Sequence, residues 1–397
     1  MKRITTAFVI ILLIGLSACS SAAPVPTETV VSATPEPTAV PADTLTPTDI
    51  PLIPSATADS HFSPEVQEFA IGLVEDGKVP GIAIGLLTPE GSFFFNYGAF
   101  TWESEQHIDE HTLFEIGSIT KVFTALLLAN AVEAGMVTLG TPAQDLLPES
   151  VSMPEYQEQA ITLEDIATHR TGLPRMPGNF SPQQTLNPYI GYTADLLYEY
   201  LSDYKLLRPI GASYEYSNLG YMLLGHLMEQ AYGKPYEELI IEVITDPLGM
   251  PDTRITLSEE KTSRFAQAHS GIYPALPWDF ALPGAGAIRS TTADMLRLLE
   301  ANLAADGQLG DAMQLIRQDC YQTTGNYFIQ VCLGIHTYHR YNKEIYWHNG
   351  QTGGYHSFAG FALEEGTAVI VLVNSNYDID ALGLHMLDSK VPLRRSN

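Results

Sequence analysis

Phe114-Glu115-Ile116-Gly117-Ser118-Ile119-Thr120-Lys121, followed by Val122-Phe123-Thr124-Ala125-Leu126-Leu127-Leu128, is the stretch around which the rest of the chain is organised. A glycine turn delivers a serine to the start of a long apolar helix. A lysine follows three residues later, on the same helical face. A serine hydroxyl is a poor nucleophile until a neighbouring base takes its proton, and a partly buried, neutral lysine amine can be that base. The free N–H groups at a helix start also favour negative charge nearby. Spacing alone does not single this serine out, because Ser202-Asp203-Tyr204-Lys205 and Ser258-Glu259-Glu260-Lys261 share it. Those copies carry acidic residues that keep the lysine protonated and exposed, and neither begins an apolar helix. Context selects Ser118.

Two further stretches supply what a serine nucleophile lacks. In Tyr214-Glu215-Tyr216-Ser217-Asn218-Leu219-Gly220, Tyr216 and Asn218 stand two apart, so on an extended loop both point into one cleft. A phenol of lowered pKa beside a lysine is a proton carrier, and a side-chain amide can hold a substrate carbonyl. Of the 20 tyrosines only Tyr216 begins a Tyr-x-Asn, although tyrosines beside Gly and Asn are also ordinary loop anchors. In Tyr346-Trp347-His348-Asn349-Gly350-Gln351-Thr352-Gly353-Gly354-Tyr355, an apolar strand ends in a polar triplet and a glycine cluster. Glycine at a strand edge admits a ligand or another backbone, and exposed N–H groups there can complete an oxyanion hole with the Ser118 N–H. His269-Ser270-Gly271 competes, but it lies in a proline-rich segment with no glycine cluster behind it and reads as loop.

Outward from these motifs the chain falls into three parts. Residues 1–19 have Lys2 and Arg3 before a short apolar run, Ala7 to Leu16, and end in Leu16-Ser17-Ala18-Cys19. This resembles a lipoprotein signal with Cys19 as the lipidated residue. That reading is favoured over an ordinary signal peptide cut near Ala18 or Ala22, because a tether follows. Residues 20–60 are rich in Pro, Thr, Ala, Val and Ser and hold eight of the 26 prolines. They are expected to be an extended, disordered linker of at most roughly 120 Å. Residues 61–397 have globular composition and form the catalytic candidate.

The formal charge of −26 is spread along the chain and argues against nucleic acid or an anionic bilayer as the main partner. Contact with a membrane is expected only through the lipid anchor. Cys320 and Cys332 either pair across a turn at Thr323-Thr324-Gly325-Asn326 or are two buried thiols. No Cys/His spacing resembles a metal site and no glycine-rich phosphate loop appears, so no metal or cofactor is expected.

Periodicity predicts a helix over Pro64–Asp76, then strands Ile82–Leu87 and Ser92–Gly98 joined at Thr88-Pro89-Glu90-Gly91. Helices follow near 118–135, 192–202, 217–231, 235–246 and 292–304. Strands return at Ile329–His336, Glu344–Trp347, Ser357–Leu363 and Ala368–Asn374, and a helix at Ile379–Leu387 closes the chain. The fold class is therefore α+β, of three-layer α/β/α type. An antiparallel sheet is built from the N- and C-terminal segments and flanked by helices, with a mainly helical lobe inserted and the site between the two.

Ser118-x-x-Lys121, Tyr216-x-Asn218 and His348-Asn349-Gly350 with Thr352-Gly353-Gly354 together resemble, in order and spacing, the serine beta-lactamase/penicillin-binding protein superfamily. The resemblance is to its class C branch, with its D-alanyl-D-alanine carboxypeptidase, amidase and esterase relatives. Thr168-His169-Arg170-Thr171-Gly172-Leu173-Pro174, Lys234-Pro235-Tyr236, Asp246-Pro247-Leu248-Gly249-Met250 and Ala285-Gly286-Ala287-Ile288-Arg289-Ser290-Thr291 are similar to its linking segments, and the likeness spans about residues 62–390.

The resemblance implies a beta-lactamase/transpeptidase-like fold and a hydrolase working through an acyl-enzyme. Ser118 would be acylated, with Lys121 and Tyr216 in proton transfer. Asn218 and His348 would hold the substrate, and the Ser118 and Gln351 N–H groups would form the oxyanion hole. His169 falls at a structural position. The implied substrate is a small amide, an ester or a peptidoglycan-derived D-amino-acid peptide, with the segments near 175–215 and 265–285 shaping the cleft. The alternative is a binding or sensor domain of the same fold that acylates slowly or not at all. One departure matters. Where many members have Lys-Thr-Gly, this chain has His348-Asn349-Gly350, with no fixed charge and no hydroxyl. Efficient beta-lactam hydrolysis is accordingly less expected than the family's name suggests.

Overall fold

Helix α1 (Pro64–Glu75) starts on Ser63, whose hydroxyl accepts from the Val66 N–H, and Pro64 takes the first helical position, where no N–H is needed. The chain then turns into the hairpin β1 (Gly81–Thr88) and β2 (Gly91–Gly98). A short strand, β3 (Phe114–Glu115), precedes a single 3-10 turn, Gly117–Ile119, and helix α2 (Thr120–Glu133). The structure, a computed structural model, describes residues 60–182, 186–340 and 343–395. The expected lipidation site Cys19 and nearly all of the expected linker lie outside the described residues.

The inserted lobe carries α3 (Leu163–Ala167), α4 (Ala194–Asp203), α5 (Asn218–Tyr232), α6 (Tyr236–Leu239), which runs on as a wider turn to Thr245, and α7 (Glu259–Thr262). A two-residue hairpin, β4 (His269–Ser270) with β5 (Tyr273–Pro274), follows. Then β6 (Arg289–Ser290) pairs with β3. Helices α8 (Thr292–Ala304) and α9 (Gly310–Leu315) lead to the late strands β7 (Tyr321–Gln322), β8 (Ile329–Val331), β9 (His336–Arg340), β10 (Lys343–Gln351), β11 (His356–Ala362) and β12 (Thr367–Val373). Helix α10 (Asp380–Leu387) closes the order.

One eight-stranded antiparallel sheet has the order β2-β1-β12-β11-β10-β9-β8-β7, so the early hairpin joins the late strands directly. Alternation along β12 shows how the layers form. Val369, Val371 and Val373 enter an apolar cluster with Val66 and Leu73 of α1 and Leu382 of α10. Ala368, Ile370 and Leu372 enter the opposite one, with Phe123 and Leu126 of α2 and Leu296 of α8. A strand buried on both faces reads as the unbroken run Ala368-Val369-Ile370-Val371-Leu372-Val373. Helices therefore cover both faces of the sheet, and the architecture is the expected α/β/α type.

Two strands differ from expectation. The run Ile329–His336 is broken: Gly334, at φ +68°, turns the chain toward α2, its N–H donates to the Ala167 carbonyl, and the Leu333 N–H donates to Ile316. Strand β10 does not stop at Trp347 but continues through His348, Asn349, Gly350 and Gln351, paired with β11. The polar triplet thus belongs to the sheet. Cys320 and Cys332, flanking the β7–β8 hairpin, form a disulfide.

Candidate active site

The backbone around Ser118 is set by close contact between two glycines and their neighbours. Gly117 has φ +50°, and a Cβ there would lie 2.7 Å from the Gln351 nitrogen. A Cβ on Gly350 would overlap the Ile116 carbonyl oxygen, while Ser357 Oγ, from the adjacent strand, donates to that carbonyl at 2.8 Å. The end of β10 therefore lies directly on the turn that carries Ser118. Both Ser118 and Gln351 line a cleft of about 510 Å³ between the sheet and the helical lobe.

Lys121, one turn into α2, is completely buried. Its Nζ lies 2.7 Å from the Ala285 carbonyl, 3.0 Å from Asn218 Oδ1 and 3.0 Å from Ser118 Oγ. Burial, and then the charge of Arg175, hold this amine well below the ordinary lysine range. A neutral amine has two N–H bonds and one lone pair. The Ala285 and Asn218 oxygens can only accept, so they take both N–H groups. The lone pair is left for the Ser118 hydroxyl, which is the geometry of a base rather than of an ion pair.

Helix α5 places Asn218 as its first residue, with Ser217 as the N-cap whose hydroxyl accepts from the Gly220 N–H at 2.9 Å. The Ser217 N–H in turn donates to His169 Nδ1 at 3.0 Å, and the His169 ring packs 4.5 Å from that of Tyr216. His169 thus positions the tyrosine, with no place in the cleft lining itself. Tyr216 lines the cleft, its ring centre 5.0 Å from Lys121 Nζ.

The expectation of a lowered phenol pKa is corrected. Burial pushes Tyr216 up to about 12, although the Ser118 hydroxyl and the charge of Arg175 both act to lower it. At neutral pH it is a phenol that can donate a proton, not a phenolate.

The expected place of His348 is corrected as well. Its side chain is 2% exposed and lies behind Tyr216, ring centres 6.3 Å apart, beside His336 at 5.2 Å. His348 Nδ1 donates to the Asn349 carbonyl at 2.6 Å, and Nε2 has no partner. Burial, with His336 and Lys121 adding to it, holds the ring well below the ordinary histidine range, so it is neutral. Strand alternation explains this placement: once β10 runs through the triplet, His348 turns toward the helix layer. It is Asn349 that lines the cleft.

The segments 175–215 and 265–285 do form cleft walls. They contribute Arg175, Tyr189 and Trp278, none of which carries a motif of its own. The Tyr189 and Trp278 rings pack at 5.3 Å, and the Trp278 backbone N–H donates to Glu115 Oε1 at 2.7 Å. Glu115 is itself buried against Arg289 at 3.6 Å. Burial pushes Glu115 up to about 7 despite the arginine.

Among the described residues one group has metal-like geometry: His356 Nε2 faces Asp378 Oδ1 at 3.9 Å and Asp380 Oδ1 at 3.8 Å. Asp378 Oδ1 already accepts from the Asp380 N–H at the start of α10, and Asp380 Oδ2 accepts from Asn349 Nδ2 at 2.6 Å. These carboxylates set the helix start and orient Asn349.

A serine hydroxyl on a buried lysine of lowered pKa, with a phenol and an amide across a cleft and a sheet edge behind it, is the arrangement of acyl-transfer enzymes. The profile of the family described as Beta-lactamase matches residues 66–386, and the chain belongs to that family. It is 31% identical over 251 residues to the D-alanyl-D-alanine-carboxypeptidase/endopeptidase AmpH of Escherichia coli (strain K12). That stretch covers 63% of this chain and 64% of the relative, so the match spans less than two thirds of the relative's length. It is 26% identical over 341 residues to a beta-lactamase of Pseudomonas fluorescens, covering 77% of this chain and 91% of that one. In fold it is similar to a class C beta-lactamase from Rhodobacter sphaeroides, with a TM-score of 0.72 at 24% identity over 83% of this chain and 99% of that structure.

Proposed function

We propose that the protein is a serine hydrolase that works through an acyl-enzyme at Ser118 on a small amide, ester or D-amino-acid peptide. The observation that carries this is the buried Lys121 amine, held between the Ala285 carbonyl and Asn218 Oδ1 with its Nζ 3.0 Å from Ser118 Oγ. Lys121 takes the hydroxyl proton as Ser118 attacks the substrate carbonyl. The Ser118 and Gln351 N–H groups receive the oxyanion, and Asn218, whose Oδ1 accepts from Lys121 Nζ, holds the substrate amide. Tyr216, protonated at rest, carries a proton toward the leaving group, and water then releases the acyl group. The relatives named for carboxypeptidase and beta-lactamase activity support the substrate classes.

The test is a turnover panel on purified protein: nitrocefin, p-nitrophenyl butyrate and diacetyl-Lys-D-Ala-D-Ala, with labelling by a fluorescent penicillin and a fluorophosphonate. Turnover and label that vanish in Ser118→Ala are expected. Absence of any label on folded protein refutes the reading, and a stable adduct without product release would mark a slowly acylating binding domain instead.

The same proposal places the catalytic domain outside the cytoplasm, tethered through residues 20–60 to a lipid on Cys19. The Cys320–Cys332 disulfide supports an oxidising compartment. Metabolic labelling with palmitate that is lost in Cys19→Ala tests the anchor. Among the described residues no helix is long and apolar enough to cross a membrane.

A further inference from the structure

We infer that Arg175 is the residue that recognises substrate charge, its guanidinium receiving a carboxylate of the substrate beside Ser118. The inference rests on the acyl-enzyme reading above and narrows it to anionic substrates. Among the described residues lining the cleft, Arg175 alone carries a fixed charge. Lys121 is buried with its N–H groups committed, and the His348 side chain lies behind Tyr216. His336, which does line the cleft, is held by burial at about 4 and is neutral.

The Arg175 guanidinium is also uncommitted. It lies over the Tyr216 ring, whose centre is 5.0 Å from Cζ, and among the described residues no hydrogen bond or ion pair takes up its N–H groups. This is unusual in a chain with 46 acidic and 20 basic residues, where carboxylates are abundant. Arg208, Arg264 and Arg289 each sit on at least one carboxylate. An unpaired, planar fork of donors at the mouth of a cleft matches a carboxylate in two parallel hydrogen bonds.

Its position is held by the backbone. The Arg175 carbonyl accepts from the Asn218 N–H at 3.0 Å and the Leu219 N–H at 3.2 Å, so the residue is fixed to the same helix start that presents Asn218. The side chain then lies across the Tyr216 face on one wall of the cleft. A substrate acylating Ser118 would bring a carboxylate near its scissile carbonyl within reach of this wall. The charge lost with the lysine of the third motif is thus supplied from the opposite lobe.

The experiment compares matched substrates that differ only in a free carboxylate against its methyl amide, in wild type, Arg175→Gln and Arg175→Lys. The ratio of kcat/KM for carboxylate over methyl amide is expected to fall about 10- to 100-fold in Arg175→Gln, the loss of charge-assisted hydrogen bonds, mainly through KM. Arg175→Lys should recover part of it. An equal loss on both substrates, a role through Tyr216 alone, overturns the inference. So does an unchanged ratio, or a wild type that prefers the methyl amide. Fluorophosphonate labelling of Ser118 separates the two failures: labelled, active protein with an unchanged ratio sinks only this inference, whereas unlabelled protein sinks the acyl-enzyme reading with it.

Discussion

Replacing Lys121 with Met should abolish acylation and, at neutral pH, make the protein more stable. An ordinary lysine titrates near 10.4, so holding its amine neutral at pH 7 costs about 4 to 5 kcal/mol relative to the unfolded chain, where it is protonated. The three hydrogen bonds at Nζ offset about 1 kcal/mol each, and more for the buried Ala285 carbonyl, which Met leaves without a donor. The net gain for Lys121→Met is therefore about 1 kcal/mol at pH 7.

The sign of the pH dependence is the sharper signature. Lys121 has a depressed folded-state pKa, so between that value and about 10 the unfolded chain binds one proton more than the folded one. Wild-type stability then rises with pH by about 1.4 kcal/mol per unit relative to the variant, and the order of stabilities reverses before pH 10. Guanidinium unfolding of both proteins at pH 7, 8 and 9 measures this directly. A stability difference that stays flat across that range would mean that Lys121 is protonated in the folded protein and would refute the base assignment.

Other perturbations have equally definite outcomes. Tyr216→Phe, which removes a phenol that is protonated at rest, should lower kcat about 10²- to 10³-fold while Ser118 still labels slowly, as single-turnover kinetics will show. Gly350→Ala drives a methyl into the Ile116 carbonyl and should cost about 1 to 3 kcal/mol together with activity, read from thermal unfolding and ester turnover. Reducing or replacing Cys320–Cys332 should lower stability by about 2 to 3 kcal/mol in denaturant titrations yet leave Ser118 labelling intact, because the bridge ties an edge hairpin that supplies no residue to the cleft lining. Because the buried His336 ring stays neutral down to about 4 while the unfolded chain's histidine takes up a proton near 6.5, stability is lost as pH falls through that range, so His336→Gln should flatten the acid limb of the wild-type stability profile.

Much of the fold was legible because its signals are local. The apolar run after Lys121 reads as a buried helix, Thr88-Pro89-Glu90-Gly91 reads as a hairpin turn, and the run from Ala368 reads as a strand covered on both faces. The glycines of the third motif signalled close backbone approach, and the structure shows what approaches: the turn carrying Ser118. The break at Gly334 was not legible, since a strand interrupted by contacts with Ala167 and Ile316 looks continuous in the residue pattern.

The sequence by itself determined which side chains are available and in what order: a serine and lysine one helical turn apart, a Tyr-x-Asn at a helix start, and a strand that ends in glycines. These depend on periodicity and on intrinsic backbone preferences, which neighbours along the chain carry. Only the tertiary structure decided their charge states and directions. Lys121 is held well below the ordinary lysine range because helices and the Ala285 segment bury it, Tyr216 keeps its proton for the same reason, and His348 faces inward because β10 continues in register with β11. Arg175 enters the cleft through two hydrogen bonds to a helix more than forty residues away, and dielectric burial and strand register are properties of the packed chain that no local pattern encodes.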